Sequence, residues 1–596
     1  MADSPTLNAG HNVRFKITSD GAPLADTIQV YSISVNLAVN RIPSAEIVVL
    51  DGDMPNQTFE VSEGSTFKPG AEIEIAAGYE DEQETIFKGV VVRHGIRITG
   101  DNDSRLIVEC RDKAVSMTIG RRNANYVEKK DSDIFSQLIG NYAGLSADVT
   151  GTDTQHKEIV QHYSTDWDFL LSRAEVNGMI VLTDQNKVTV QPPATSGAQQ
   201  LKVTYGIDLI EFDADIDSRT QLKSVKTVGW DPAKQQIVEK TAAPASLNRQ
   251  GDLSSPVLAA TVGPETFRLQ TPAPLEPSSL DSWAKGQQVK AGLSRIRGHM
   301  KFQGSSKAKI GKLIELAGVG GRFNGDVFVS GVTHVLRDGT WHTEAEFGMP
   351  HQWFADQRDL VAPPASGLLP GIEGLHLAVV KKLDADPESQ NRVQVSIPLL
   401  AAEQDGVWAR LSNFYASNTF GDFFIPEIGD EVVLGYLNGD PSYPIILGSV
   451  YSSKLPPPYT LTAENYTKAI VTRSKLRLIF DDDKKVVTII TPANNKIVVS
   501  DDTKSILLED ENGNIAKLHP GGILLDTPQD VIVNAKGKIA MSAVGEISLT
   551  AQADVKVTGL NVSNTAQVSF TAKGSASAEL SAAGQTTVKG ALVMIN

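Results

Sequence analysis

The stretch GGILLDTPQDVIVNAKGKIAMSAVGEISLTAQADVKV, residues 521–557, decides how this chain is read. Apolar pairs recur in it every eight residues: Ile523/Leu525, Val531/Val533, Ile539/Met541, Ile547/Leu549 and Val555/Val557. Each pair has the i, i+2 spacing of one strand face, with polar residues around it. Gly521, Gly537 and Gly545 fall two residues before their pairs, where a chain that turns after every short strand tolerates a positive φ. The register then loosens through Leu560/Val562, Val568/Phe570, Ala576/Ala578/Leu580 and Val588, so residues 521–596 read as a β-repeat.

A short strand with one apolar face cannot bury that face alone; stacked repeats share a continuous core. One chain coiling with three octads per turn needs roughly 24 residues a turn, so five octads fall short of the roughly three repeats such a stack requires. Three chains, each supplying one side of every turn, would build a closed prism with the apolar pairs on its axis. The intertwined trimer is the preferred reading, and an antiparallel meander is the alternative.

At 596 residues the chain is too long for one domain, and usual domain sizes predict roughly three to five. Charged residues at 21% and hydrophobic ones at 41% describe a globular protein. The net charge of −16, with no concentrated basic surface, argues against a nucleic-acid partner. The N-terminus MADSPTLNAGHNVRF lacks a signal-peptide pattern, and no apolar run approaches membrane-spanning length. The expectation is a chain made in the cytoplasm. Cys110 is the single cysteine; within LIVEC it reads as a buried strand thiol, and it leaves no disulfide or thiolate cluster to form.

Residues 11–120 read as successive strands, Val13 to Ile17, Ile28 to Val35, Ala45 to Leu50, Glu72 to Ala76, Thr85 to Val92 and Arg105 to Cys110, forming a barrel or sandwich. The period then changes to about 3.6. A helix at about 131–145 carries Ile134, Phe135, Leu138, Ile139 and Tyr142 on one face, with Asp131 or Ser132 as cap and Gly144 as stop. A second, at about 165–177, has Thr165 and Asp168 at capping-box spacing and Gly178 as stop. Strands resume from Met179 to about Val262, and a third helix at about 282–297 turns Trp283, Val289, Leu293 and Ile296 inward. Gly304 to Lys312 ends in Gly-Lys but lacks the spacing of a phosphate loop and leads into a strand, so it reads as a turn.

The proline-rich stretch Val361 to Gly371 reads as a linker. Six strands follow in a short space, from Leu375 to Leu383, Arg392 to Ile397, Gly406 to Leu411, Asp422 to Ile425, Glu431 to Leu437 and Ile445 to Tyr451, the spacing of a small closed barrel such as an OB-fold. After a second linker containing Lys454 to Pro458, strands at Leu476 to Phe480, Val486 to Ile490, Ile497 to Val499 and Ile506 to Leu508 lead into the octads. The acidic turn Asp481 to Asp483 could ligate Ca²⁺, but without EF-hand spacing it reads as a solvated turn.

At the second barrel, FFIPEIGDEVVLGYLNGDP (423–441) and PIILGSVYSSKLPPP (444–458), preceded by RVQVSIPLL and GVWARL, resemble the barrel signature of VgrG-type spike proteins, relatives of the contractile phage tail spike. QHYSTDWDFLLSRAEVNG, HMKFQGSSKAKIGKLIELAGVGGRFNGDVFVSGV and PSAEIVVLDGD resemble the hub half of that family, and GLLPGIEG its junction. The resemblance implies a mainly β chain: a hub of two β-barrels with a few packing helices over 1–362, a linker at 363–374, an OB-fold collar over 375–453, a linker at 454–474, and an intertwined trimeric β-helix or β-prism needle over 475–596. It further implies a homotrimer whose hub forms a pseudo-sixfold ring on the inner tube and baseplate of a contractile injection machine, a type VI secretion apparatus or an extracellular phage-tail-like particle. The needle would puncture a target membrane and carry effectors, and the particle would be exported or released.

Only Pro456 to Arg473 lies between barrel and needle, too little for the lysozyme domain of the phage spike. The end, Ala591, Leu592, Val593, Met594, Ile595 and Asn596, reads as a platform for a separate tip protein resembling PAAR proteins, and no histidine follows His519 to bind a metal there. No catalytic residues, metal ligands or cofactors are expected, since HExxH, GxSxG and clustered histidines are absent from the sequence. The alternatives are an envelope-degrading peptidoglycan enzyme and a receptor-binding trimeric fibre; a fibre would not need the hub half.

Overall fold

The computed structural model describes residues 2–8, 12–100, 103–357, 360–398 and 406–595. It divides into two compact units, Met1–Val450 and Tyr451–Asn596.

The first unit opens with strands β1 (Val13–Ser19), β2 (Val30–Ala38), β3 (Ser44–Leu50), β4 (Glu72–Tyr79), β5 (Glu82–Ile98) and β6 (Ser104–Arg111), six strands where six were expected. Six more follow with helices among them: β7 (Leu201–Thr204), β8 (Leu209–Ile216), β9 (Ile296–Gln303), β10 (Leu313–Ala317), β11 (Gly325–Arg337) and β12 (Thr340–Phe347). Together with the short strand Ala22–Pro23 they form one 13-stranded sheet. Its order is β8-β9-β12-β11-β2-β3-β6-β5-β4-β1, with β10 on β11 and β7 on β10.

That order contains the same arrangement twice. β2-β3-β6-β5-β4-β1 and β8-β9-β12-β11-β10-β7 match strand for strand, each number shifted by six. Irregularities match too: a bulge at Val30/Ser32 in β2 answers one at Leu209/Glu211 in β8, and Val91/Arg93 in β5 answers Val329/Gly331 in β11. A bulge adds one unpaired residue and bends the strand, so shared bulges fix shared curvature and register. One difference is that β1 runs antiparallel to β4 whereas β7 runs parallel to β10. The two barrels expected here are thus two copies of one strand arrangement, joined where β11 pairs with β2. Among the described residues, closure by hydrogen bonds is found in the collar alone.

Both copies bury one face in a shared core, with Ile33, Val35, Ile47, Phe87, Val108, Phe302, Phe328 and Phe347 among its fully buried side chains. Cys110 lies in this core, and burial pushes its thiol up to about 12, which suits a packing role. Gly304, in the Gly-Lys stretch, lies against Trp341 so closely that a Cβ would meet the ring at 2.1 Å, and its carbonyl accepts a hydrogen bond from the Tyr79 hydroxyl at 2.9 Å. Close packing explains that glycine.

Helices α1 (Asp131–Gly140) and α2 (Asp166–Val176) build a satellite core with Tyr126, Val181, Val188 and Val190. Thr165 caps α2 as expected, its hydroxyl accepting from the Asp168 amide at 3.0 Å, and Gly178 takes φ 66° just past its end. Asp131 does not cap α1. It is buried, and Arg173 donates to both its oxygens at 2.9 Å while Asn177 adds a third bond at 2.8 Å. The Lys130 amide instead donates to the Asp133 carboxylate at 3.2 Å, the one half of a capping box that a lysine, whose side chain has no acceptor, can make. Helix α3 (Ser255–Val262) occupies a stretch read as strand, and α4 (Pro277–Leu293) begins and ends earlier than expected, leaving Ile296 to start β9.

The collar is a closed barrel of five strands, β13 (His376–Lys382), β14 (Val393–Ser396), β15 (Val407–Leu411), β16 (Glu431–Tyr436) and β17 (Pro444–Ser449), around Ala378, Val380, Val395, Val432, Leu434 and Ile446. The sixth strand expected, Asp422 to Ile425, is a loop that leads into Pro426, a residue without an amide to donate. The linker before the barrel is pinned: Ala365 is buried, and the Ile372 amide donates to the Gly439 carbonyl at 2.8 Å.

The second unit begins with seven antiparallel strands in sequence order: β18 (Thr467–Val471), β19 (Arg477–Asp481), β20 (Val486–Ile490), β21 (Lys496–Ser500), β22 (Ser505–Glu509), β23 (Ile515–His519) and β24 (Gly522–Asp526). β18 lies inside the stretch read as linker 454–474. Residues 467–526 are therefore a meander within one chain, the alternative arrangement to a coil, and β24 holds the first octad pair. Between 527 and 595 no described residue is in a strand. Positive φ falls at Gly522 rather than Gly521, Gly537 or Gly545.

Candidate functional site: an open apolar face

Residues paired across antiparallel strands point to the same side of the sheet. One cross-strand row of the meander runs Ile470, Leu478, Ile489, Ile497, Leu508, Ala516, Leu525. The row beside it, two residues away along each strand, runs Lys468, Phe480, Val487, Val499, Ile506, Leu518, Ile523. Both rows share one face, which is apolar throughout except at Lys468 on the first strand. The opposite face mixes charge into its rows, with Arg477, Asp481, Lys496, Glu509 and Lys517. Lys496 and Glu509 bridge across it at 2.9 Å.

The turns hold this sheet in register. The Asp481 carboxylate accepts from the amides of Asp483 and Lys484, the solvated turn expected of the triple aspartate. Asp510 likewise accepts from the amides of Asn512 and Asn514, and Gly513 takes φ 85° there.

In the single chain this face is open. Ile489, on the third of seven strands, is 49% exposed, and Ile523 and Leu525 reach 76% and 67%. Side chains at such positions in the hub sheet are fully buried. An apolar strip this long on one molecule marks a surface meant to be covered.

The sequence-derived axial residues divide into two groups. Ile523 and Leu525 lie at the end of this face and continue it. Val531, Val533, Ile539, Met541, Ile547, Leu549, Val555 and Val557 are all exposed, and Val531 lines an open groove with Ile489, Ile497, Leu508 and Leu525 of this face. Ala591, Leu592, Val593, Met594 and Ile595, expected to dock a tip protein, are exposed as well, and Asn596 lies outside the described residues. Sequence reasoning missed that Leu478/Phe480, Val487/Ile489, Ile497/Val499 and Ile506/Leu508 share one open apolar face. Their i, i+2 pairs were the available signal, obscured by strands spaced nine to ten residues apart instead of eight. Among the described residues there is no group of His, Cys, Asp and Glu arranged to hold a metal ion, and no helix is long and apolar enough to cross a membrane.

Residues 9–338 match the family described as the Alg8 N-terminal domain, more than half of the chain. The chain belongs to this family. The description names a domain and no reaction. Residues 376–451 of this Alg8 N-terminal domain family member match the type VI secretion system/phage-baseplate injector OB domain, which is the collar barrel. The chain is 35% identical over 109 residues to the actin cross-linking toxin VgrG1 of Vibrio cholerae, covering 17% of this chain and 10% of that protein. It is 39% identical over 72 residues to the type VI secretion system spike protein VgrG1a of Pseudomonas aeruginosa, covering 12% of this chain and 11% of that protein. The chain thus spans about a tenth of the curated relatives it matches. Among solved structures, the 43 kDa tail protein of a Shewanella oneidensis prophage is 9% identical with a TM-score of 0.43, covering 57% of this chain and 99% of that one. An Escherichia coli component of the type VI secretion system is 13% identical with a TM-score of 0.37, covering 73% and 100%. The match to the injector OB domain and the names of the curated relatives bear out the resemblance to VgrG-type spike proteins.

Proposed function

We propose that the chain is the hub and spike of a contractile injection machine and that it works as a homotrimer. In this reading residues 1–362 are the hub, 375–453 the collar and 467–596 the needle, with linkers at 363–374 and, shortened by β18, at 454–466. The observation that carries it is the open two-row apolar face of the meander, which the octads extend toward the C-terminus. Three such faces turned inward form a triangular prism in which each apolar row meets its counterparts on the axis. The needle residues from Ile523 to Val557 then line that axis. Its work is mechanical: an intertwined β-prism pairs its backbone internally and buries its apolar rows, so it resists unfolding under load.

We read the chain as non-enzymatic, a reading supported by relatives named for a spike and by the match of the collar to an injector OB domain. Its partners are inner-tube and baseplate proteins at the hub, a PAAR-like tip protein at Ala591–Asn596 and effectors carried behind it. It is made in the cytoplasm, leaves with the particle and touches the target membrane transiently. Deleting residues 1–360 tests this against a receptor-binding fibre. A spike loses particle assembly, whereas a fibre keeps receptor binding.

A further inference from the structure

Arg295 of the hub lies largely out of water without a counter-charge. Arg219, Arg322 and Arg392 each pair with an aspartate, at 2.8, 2.5 and 2.6 Å, and that partner holds the guanidinium above its ordinary pKa. Arg295 is the reverse. Its Nη1 donates to the Leu253 carbonyl and its Nη2 to the Gln250 carbonyl, each at 2.8 Å. No carboxylate pairs with it among the described residues, and burial pulls its pKa down. Two neutral carbonyls occupy two of the five N–H donors that a guanidinium carries and offset none of its charge. A charge taken out of water and left unpaired is costly.

A small cavity lies at this arginine. Asn248, Gln250, Leu293, Arg295, Phe328 and Gly348 are among its walls, and its free space is about 10 Å³. That is room for one water or one monatomic ion, and too little for a phosphate or sulfate. Gln250, only 3% exposed, adds a second donor, because its Nε2 is buried without a partner. The backbone around the cavity is fixed. Gln250 bridges to Gly325 at the start of β11, and the Gly251 amide donates to the Asn324 carbonyl at 2.7 Å. On the far wall Gly348 takes φ 74° and donates to the Phe328 carbonyl at 3.0 Å, while Met349 donates to the carbonyl of Leu293, the last residue of α4, at 2.9 Å. A water placed here satisfies the Gln250 amide but is neutral and leaves the Arg295 charge uncompensated.

We propose that this cavity is a binding site for one monatomic anion, chloride, held between Gln250 Nε2 and the Arg295 guanidinium. Positive charge, an unmet donor and single-atom space together select such a guest. The ion ties three pieces of the hub: the segment 248–251, the C-terminal end of α4 and the residues that open β9. It therefore fixes the place where the long excursion between β8 and β9, residues 217–295, returns to the sheet. The site is complete within one chain and does not depend on the trimer.

Bromide, a chloride mimic with its own anomalous scattering, tests this in crystals of the full chain. A peak within hydrogen-bonding reach of Gln250 and Arg295 is expected; an ordered water without anomalous signal overturns the site. In solution the hub's melting temperature should be higher in sodium chloride than in sodium gluconate of equal ionic strength, since a bound ion stabilises the folded state alone. Gln250→Glu sets a carboxylate beside Arg295 in place of the ion. The hub of that variant should melt at or above the wild type in gluconate and should no longer respond to chloride. A wild type indifferent to chloride, or a folded variant that keeps the full response, overturns the proposal. A bromide peak with no chloride response in solution does so as well, because it marks an ion bound at crystal concentration only.

Discussion

The hub sheet and the needle sheet are made of similar short antiparallel strands, yet they spend their apolar residues differently. In the hub each strand alternates, and its inward residues vanish into one core: Ile33, Val35, Ile47 and Val108 are all at or near 0% exposure. In the needle the alternation is as strict, but the apolar rows face nothing. The hub therefore folds as a structure complete within one chain, apart from its two sheet edges. On the proposed trimeric reading the needle is one side of an interface, and its stability belongs to the assembly. Burial of apolar area contributes roughly 25 cal/mol per Å². Covering two rows over seven strands and the octads beyond is therefore a large term that a lone chain forgoes.

Four substitutions or titrations sharpen the contrast. The largest effect is expected from a charge on the open face: Ile489→Asp, or Ile547→Asp in the octads, would place three carboxylates in one buried layer. Trimer content should collapse in light scattering, while the hub's unfolding transition stays where it was. An unchanged trimer and an unchanged needle melting temperature would break the comparison. Next, Phe302→Ala removes a fully buried ring from the hub core and should cost about 3–5 kcal/mol in the hub transition by denaturant unfolding, with no change in oligomeric mass.

Third, His334 is buried on β11, opposite Thr343 of β12, with its ring 5.7 Å from that of Trp341 and Nδ1 2.9 Å from the Thr343 hydroxyl. Burial is the main cause that lowers it from 6.5 to about 3, and Lys309 adds to the shift. A histidine held neutral in the fold contributes stability that is fully present above its unfolded value. That stability is lost as pH falls from about 6.5 toward 3, at up to about 1.4 kcal/mol per pH unit. His334→Gln should flatten that slope in the hub and leave the needle's pH response alone. Smallest, Thr165→Ala should lower hub stability by about 1 kcal/mol through loss of the α2 cap, readable as a small shift in melting temperature.

Much of this was legible in the sequence, because local rules governed it. Alternation marked β1 to β6, Thr165 and Gly178 bounded α2, and strand spacing gave the collar. The misses have physical causes. Asp131 has cap chemistry, but Arg173 and Asn177, distant in sequence, claim it for the interior. Helix α3 is short and nearly uniformly apolar, so no period betrayed it; Ser254 before Pro256 was the available sign. The duplication was invisible because paired positions carry unlike side chains, Ser34 against Asp213 and Val335 against Arg97, and the copies agree in strand order and bulges instead. In the needle the octads showed the apolar pairs directly, while the meander before them hid its apolar rows behind a longer strand spacing.

The most direct test of the central claim is the solution mass of the purified full-length protein by light scattering. Three chains of 64.0 kDa, about 192 kDa, is the result expected if the open face is covered by two further copies. A stable 64.0 kDa monomer that withstands dilution and warming without aggregating would contradict it, since the exposed rows would then need no partner.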